Sequence, residues 1–270
     1  MKKILQSLIM VLVLIAAFPS TVRADMGPKP SIRITFEGIN ERYYVTLLSK
    51  ERGYGPYENY EEGGYCETEG EDDEIFCRFL EFALNDDYYL INRPVECTDD
   101  NEFSWTYYPP EDFKVLIYLA DSDRFLVTEA YTKYAFDSYY RYDPETNALI
   151  NSYNYKGEVL SLIGRVIITI IIEVLIALLF KYKKHLKTII IVNIITQGLL
   201  NLFVNMTNYY AGLLTTVILV FLAEGAVLLI EIIVYRIAFK ENKAILYAIV
   251  ANILSFAAGS YLALLIPGLL

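Results

Sequence analysis

The sequence predicts an α+β protein in two parts: an exported small antiparallel β-sandwich-like domain, followed by an α-helical membrane bundle of four spans. Two observations predict this division. Residues 25–157 contain 28 acidic and 12 basic side chains among short alternating apolar stretches, whereas residues 158–270 contain 5 and 8 among long apolar runs. A short apolar segment at the N-terminus predicts export of the acidic part.

Residues 1–24 have the layout of a secretory signal peptide. Two lysines precede an almost wholly apolar run at 4–18, and the small residues Val22 and Ala24 stand at −3 and −1 of a cleavage site. Because the run is short for a spanning helix, we predict cleavage after Ala24. The alternative is an uncleaved anchor, which would add a fifth span and leave the acidic domain on the same side.

Residues 25–157 are predicted to form five or six short strands and one helix. Period-two alternation and aromatic or β-branched residues predict strands at Ser31–Phe36, Tyr43–Leu48, Phe103–Tyr107, Phe113–Leu119, Arg124–Thr128 and Phe136–Tyr142. Acidic residues 71–74 suit the first turn of a helix whose apolar stripe is Ile75, Phe79 and Phe82. The acidic run 67–74 lacks the EF-hand pattern, so a solvated helix start is favoured over a cation site.

Tyrosine is concentrated in this domain, which holds 18 of the 24 tyrosines. Strand positions do not account for the loop set Tyr54, Tyr57, Tyr60 and Tyr65. Tyrosine gives a large contact area with a polar tip, so this set is a candidate binding surface for an unknown extracytoplasmic ligand or envelope protein. The alternative is that the loop is only flexible decoration.

Cysteine usage allows at most one disulfide within the chain, because there are three cysteines. All three lie in the part that is predicted to be exported, where disulfides persist. The sequence does not determine which two would pair among Cys66, Cys77 and Cys97.

Catalytic chemistry is poorly supported. The single histidine, His185, falls after the first long apolar run, so the acidic domain cannot assemble a Ser-His-Asp or Cys-His set. We predict no cofactor and no metal site, and the acidic balance of the middle of the chain argues against a nucleic-acid partner. A non-enzymatic binding or sensing role for the acidic domain is therefore the leading hypothesis.

Four apolar runs are long enough to span a bilayer: residues 159–180, 189–204, 211–234 and 244–266. The second is the shortest, and the alternative is that it extends through Thr207 to Tyr209. Basic residues occupy the loops 181–188 and 235–243, whereas the link 205–210 carries no charge. The positive-inside rule puts both basic loops in the cytoplasm and, like the export signal, puts residues 25–157 outside. The predicted protein is a multi-pass cell-membrane protein, in contact with the lipid bilayer, whose C-terminus is outside.

Polar side chains inside these runs form the most specific candidate site. Counting from the run ends places four of them near mid-membrane, namely Glu173, Gln197, Glu224 and Asn252. Two more would lie toward the outer side, Arg165 and Asn201, and two toward the inner side, Asn193 and Glu231. A charge at the bilayer centre costs about 2.5–3.5 kcal/mol, so we expect these residues to face the interior of a bundle. We expect Arg165 to pair with Glu173 or with an acid of the outside domain.

Two roles are open for this polar layer. Interhelical hydrogen bonding explains the amides well and the carboxyls poorly. A site or pathway for protons, cations or a small polar solute explains the carboxyls. It gives the alternative function, a small ion, proton or solute transporter component. Four helices are few for a transporter, so that alternative implies a homo-oligomer.

Three segments carry a resemblance to a known family. Met26-Gly27-Pro28-Lys29-Pro30-Ser31 near the expected mature start, then Thr46-Leu47-Leu48-Ser49, and later Trp105-Thr106-Tyr107-Tyr108-Pro109-Pro110 resemble a family of uncharacterised bacterial multi-pass membrane proteins. The resemblance implies the same plan of an outside domain followed by helices, and it implies no activity. The paired Glu-Glu motif of the prenyl-protein endopeptidases and the Ser and His pair of rhomboids are both missing.

Overall fold

The computed structural model of the chain describes residues 29–53 and 70–265, and the predicted signal segment 1–24 lies outside them. The first part of the chain is a β-sandwich with one helix, α1 (Glu71–Ala83), and the second part is helical. The strands are β1 (Ser31–Phe36), β2 (Tyr43–Ser49), β3 (Tyr89–Leu90), β4 (Val95–Glu96), β5 (Glu102–Trp105), β6 (Asp112–Leu119), β7 (Arg124–Val127), β8 (Tyr131–Thr132), β9 (Asp137–Asp143) and β10 (Ala148–Asn151).

The strands form two sheets. The first has the order β10-β9-β1-β5, and the second has the order β3-β2-β6-β7, with β4 beside β2 and β8 beside β6. The predicted antiparallel pairing is wrong for one pair, because β1 and β9 are parallel. Parallel neighbours need a long crossover, and here the whole second sheet and α1 lie between these two strands in sequence.

The core explains the alternation seen in the sequence. Ile32, Ile34 and Phe36 point inward from β1, while Arg33 between them is exposed. Strand β2 is buried along its whole length because its sheet is covered on both faces. One side of β2 packs in the core between the sheets, and the other side packs against α1. The sandwich is therefore a three-layer structure whose outer layer is the helix predicted from its acidic first turn.

The helical part contains α2 (Tyr155–Leu179), α3 (Leu186–Phe239) and α4 (Lys243–Leu265). Helix α2 begins before the predicted boundary at 158, because the Asn154 side chain caps it by accepting a hydrogen bond from the Gly157 N–H at 2.9 Å. Within the described residues, two helical segments are long and apolar enough to cross a membrane, Tyr155–Leu179 and Lys183–Phe239, and Lys243–Gly259 is a shorter apolar helix. This count does not support the predicted bundle of four spans.

Helix α3 is interrupted at Gly212, whose φ of 77° and ψ of 172° are not helical. Asn193 contacts Tyr235, which is 42 residues further along, at 3.1 Å. A straight helix would separate these residues by about 63 Å, so the chain turns back at Gly212. Residues 205–210, which were predicted to link the second and third spans, are helical. The chain reverses at Gly212 instead, because residues 205–210 contain no glycine or proline and a reversal needs the backbone freedom that Gly212 supplies.

The sandwich contacts the helical part at this reversal. The Phe136 N–H donates to the Tyr209 carbonyl at 2.8 Å, a carbonyl left free by the interruption of the helix. The Phe136 ring lies so close to Gly212 that a Cβ there would be 2.5 Å from Cε1. Small buried residues of α4, Ala244, Ala248 and Ala251, let that helix pack closely on its neighbours.

Candidate functional site

Glu173 of α2 is completely buried between the helices. Its Oε2 accepts a hydrogen bond from Asn193 Nδ2 at 2.6 Å. The same nitrogen lies 3.1 Å from the Ile189 carbonyl and 3.1 Å from Tyr235 Oη. An amide nitrogen has two hydrogens for these three acceptors. Asn193 therefore links α2 to both halves of α3.

Glu231, in the second half of α3, is also completely buried. It accepts from Thr196 Oγ1 at 2.8 Å and from Asn252 Nδ2 of α4 at 2.7 Å. The Thr196 hydroxyl also lies 3.0 Å from the Val192 carbonyl, and it has one hydrogen to give. If Thr196 donates to Val192, Glu231 must supply the hydrogen between the two side chains. The geometry thus accommodates Glu231 both with and without a proton.

Three buried oxygens of this cluster lack a hydrogen-bond partner among the described residues: Glu173 Oε1, Asn193 Oδ1 and Asn252 Oδ1. Leaving a buried acceptor unsatisfied costs about 1–3 kcal/mol. A proton on Glu173 would make one carboxyl oxygen a hydrogen-bond donor. A bound cation would give such oxygens a positively charged partner. This unfilled bonding capacity distinguishes the cluster from a set of amides that only hold helices together.

Among the described residues, no basic side chain pairs with the carboxyls of the cluster. Glu173 interacts electrostatically with Glu231 and Glu224, so ionising all three would be unfavourable. Glu224 is half-buried. In the part of the chain that the structure describes, none of the three forms an ion pair. The expected pairing of Arg165 with Glu173 is wrong, because Arg165 Nη2 donates instead to Asn205 Oδ1 at 2.8 Å.

The structure brings together residues from different predicted levels. Glu173, expected beside Gln197, contacts Asn193, and Asn252, expected beside Glu224, contacts Glu231. The grouping by depth is therefore wrong in its partners, because it counted depth from an end at 204, whereas the helix continues to the reversal at Gly212, as the alternative of a longer second run implied. Gln197 and Asn201 are buried on the same face as Asn193, and Asn201 Nδ2 donates to the Gln197 carbonyl at 2.8 Å.

Three members of the cluster were missed by sequence reasoning: Thr196, Tyr235 and Tyr247. Two of them had a signal in their spacing. Thr196 follows Asn193 by three residues and Tyr235 follows Glu231 by four, which places each pair on one helix face. Tyr247 Oη reaches the Glu173 carbonyl at 3.4 Å and ties α4 to α2.

The other predicted positions belong to the acidic part of the sequence. Tyr54, Tyr57, Tyr60, Tyr65 and Cys66 are outside the described residues. Cys77 is disulfide-bonded, and Cys97 is a free, buried thiol.

Within residues 29–53 and 70–265, no group of three or more His, Cys, Asp or Glu residues could hold a metal ion. No protein-family model, no curated protein and no solved structure matches the chain. The resemblance to a family of uncharacterised membrane proteins therefore stays a prediction. The buried cluster is the feature of the described structure with the clearest chemical capacity, since it combines buried carboxyls with unsatisfied oxygens.

Proposed function

We propose that the chain is a multi-pass membrane protein of the cell envelope whose helical region binds a proton or a small alkali cation at Glu173 and Glu231, as part of a small transporter. One observation carries this proposal. Glu173 is completely buried, has a carboxyl oxygen without a hydrogen-bond partner, and forms no ion pair, in each case among the described residues. Ionisable side chains buried among membrane helices commonly mark ion or proton pathways.

The interruption at Gly212 supports four spans. The segments on either side of it, residues 186–211 and 213–239, are each about 39 Å long, which is enough to cross the hydrocarbon core. Together with α2 and α4 they make four crossing segments. The helices also expose many large apolar side chains, including Leu179 at 80% and Leu160 at 70%, which suits a lipid environment.

The charge distribution supports the proposed orientation. The basic residues between α2 and α3 and those between α3 and α4 lie at the end of the bundle opposite the reversal at Gly212. The sandwich contacts the reversal itself, through Phe136. By the positive-inside rule the basic end faces the cytoplasm, so the sandwich and the C-terminus lie outside, after export directed by residues 1–24.

Hydrogen bonding between helices is the competing explanation for the cluster. Asn193 and Asn252 do link helices, and such contacts contribute about 1 kcal/mol each. Two glutamines in place of Glu173 and Glu231 could give similar links without burying ionisable groups. The carboxyls are therefore the residues on which the two explanations differ.

The test is ion flux into proteoliposomes that contain the full chain. Internal pH and internal Na⁺ or K⁺ are followed separately after a gradient of each ion is imposed. We expect flux of one ion in the parent, and at least a tenfold loss in Glu173→Gln and Glu231→Gln, about 1.4 kcal/mol or more. Glu241→Gln is the matched control, because Glu241 is an exposed carboxyl between α3 and α4. A parent that carries none of the three ions would rule out the transporter function.

The leading hypothesis from the sequence, an extracytoplasmic binding or sensing domain, is compatible with this function. Its candidate surface, the tyrosines predicted at 54, 57, 60 and 65, lies outside the described residues. We propose that the sandwich supplies the contact with an extracytoplasmic ligand or envelope protein, and that the helices assemble as a homo-oligomer. Cross-linking of the reconstituted protein tests the second point, and a strictly monomeric chain that retains flux would contradict it.

A further inference from the structure

A cleft of about 380 Å³ lies where the sandwich meets the helical part. Asp137 and Tyr139 of β9 form one wall. Tyr153 and Glu158 line it where α2 begins, and Tyr209 of α3 closes it. A molecule in this cleft would therefore touch both parts of the protein. The cleft is separate from the buried carboxyl cluster and uses none of its residues.

The charged groups that line the cleft are acidic. They are Asp137 and Glu158, and no lysine or arginine of the described residues lines it. Each carboxyl is held by a hydroxyl: Ser31 Oγ donates to Asp137 Oδ1 at 2.5 Å, and Tyr153 Oη donates to Glu158 Oε1 at 2.5 Å. Positioned negative charge on two sides of a cavity favours a cationic occupant and disfavours an anion.

Aromatic rings supply the rest of the recognition surface. The Tyr153 ring lies 5.3 Å from the Tyr209 ring in an edge-to-face arrangement, and 6.2 Å from the Tyr139 ring. Rings held edge to face around a cavity can offer their negative π faces to a cation. Carboxylates combined with tyrosine faces are the chemistry that recognises alkylated ammonium groups, whereas a metal ion needs several oxygen ligands at short range.

We propose that this junction cleft binds a compact organic cation carrying an alkylated ammonium group. The competing explanation is a tyrosine belt at the membrane surface, where tyrosines anchor helices without a ligand. Tyr155 and Tyr210, which are 52% and 69% exposed, fit a belt. Tyr153 differs from them because its hydroxyl is engaged with Glu158 and its ring packs among four other tyrosines, Tyr134, Tyr139, Tyr155 and Tyr209.

Isothermal titration of the full chain in lipid nanodiscs tests the proposal. The two probes are choline and 3,3-dimethylbutan-1-ol, which has the same shape without the charge. We expect saturable binding of choline and at least about tenfold weaker binding of the neutral alcohol. Equal affinity for the two, or no saturable binding of choline and tetramethylammonium in the millimolar range, would overturn the proposal.

Substitutions locate the site. Asp137→Asn and Glu158→Gln keep the acceptor oxygens, and each should weaken choline binding by about 5–30-fold. Tyr153→Leu should weaken it by about 2–30-fold, while Tyr153→Phe, which keeps the ring, should retain most of the affinity. Glu145→Gln, an exposed carboxyl outside the cleft, is the control. Unchanged affinity in the first three variants, with parental melting curves, would show that choline binds elsewhere and contradict the assignment.

Discussion

The sandwich and the helical region treat buried polar groups in opposite ways. In the sandwich, Ser138 Oγ donates to the Ala135 carbonyl and accepts from the Tyr134 N–H. Thr128 Oγ1 likewise donates to the Glu129 carbonyl and accepts from the Val115 N–H. The buried side-chain atoms without a hydrogen-bond partner, counted over residues 29–53 and 70–265, all lie in the helices: Arg165 Nε, Glu173 Oε1, Asn193 Oδ1 and Asn252 Oδ1.

The charges show the same contrast. The sandwich pairs its acids with arginines and lysines near its surface, as in Arg42 with Glu96 and Arg93 with Asp73. Pairs of this kind contribute about 0–1 kcal/mol each. The helices bury the carboxyls of Glu173 and Glu231 without an ion pair among the described residues. Folding accounts for the polar groups of the sandwich and for the amides that link the helices, whereas the buried carboxyls are a cost that folding does not explain.

The largest effect is expected from Phe113→Ala in the sandwich core. Phe113 is completely buried and packs on Tyr140. Its truncation should reduce the free energy of unfolding by about 3–5 kcal/mol. The chain has a single tryptophan, Trp105, which lies in the same core, so its fluorescence reports this domain. Far-ultraviolet circular dichroism reports the helices. If both signals shift together, the two regions unfold as one unit and the contrast between them fails.

The next effect is expected at the junction, from Gly212→Ala. The backbone of Gly212 lies in a region open essentially to glycine alone, and the new Cβ would lie 2.5 Å from the Phe136 ring. We expect a loss of about 2–4 kcal/mol, from backbone strain and overpacking together.

Gly225→Ala is the matched control for Gly212→Ala. It is another glycine of α3, and a Cβ there meets nothing within 4 Å. In thermal melts followed by circular dichroism, the control should stay within about 1 kcal/mol of the parent or be more stable. Equal melting of the two variants would mean that the Phe136 contact does not constrain the reversal.

A smaller effect is expected from Asn252→Ala within the buried cluster. It removes the donor to Glu231 Oε2 at 2.7 Å, and should destabilise the helices by about 1–2 kcal/mol in mixed micelles. Asn201→Ala is the control, because Asn201 Nδ2 donates to the Gln197 carbonyl of its own helix. If the two variants lose the same free energy of unfolding, the hydrogen bond between helices at Asn252 does not stabilise the bundle more than the bond within one helix at Asn201.

Much of the sandwich could be predicted because its signals are local. The alternation in β1 and the acidic first turn of α1 both appear where they were expected. The two-residue strands β3, β4 and β8 were missed, because they are formed by pairing with β2 and β6 and have almost no periodicity of their own. The parallel pairing of β1 with β9 joins residues about a hundred positions apart, and no local pattern encodes it.

Most residues of the buried cluster could be predicted, but which of them contact each other could not. Burial cost alone singles out Glu173, Glu231, Asn193 and Asn252. Their pairing depends on where the chain turns back. That position is set by Gly212 meeting the Phe136 ring, a contact between the two parts of the protein that no single segment contains.

The smallest effect is expected from Cys97, a buried ionisable group of the sandwich. Burial raises the pKa of this thiol from 9.0 to about 12, because the thiolate would lose its hydration. The folded state therefore holds this proton where the unfolded state releases it. The contribution is fully present below pH 9 and is lost as the pH rises from about 9 to about 12.

Between about pH 8 and pH 9.5 this loss should amount to roughly 0.5–1 kcal/mol, before the tyrosines titrate. Urea unfolding monitored by Trp105 fluorescence gives the free energy of unfolding of the parent and of Cys97→Ala at each pH. The difference between the two isolates the titration of Cys97, since the variant lacks the thiol. A difference independent of pH would show that Cys97 does not stay neutral in the fold. The contrast between the two regions would then be weaker, because the sandwich too would hold a buried group whose charge is not explained by folding.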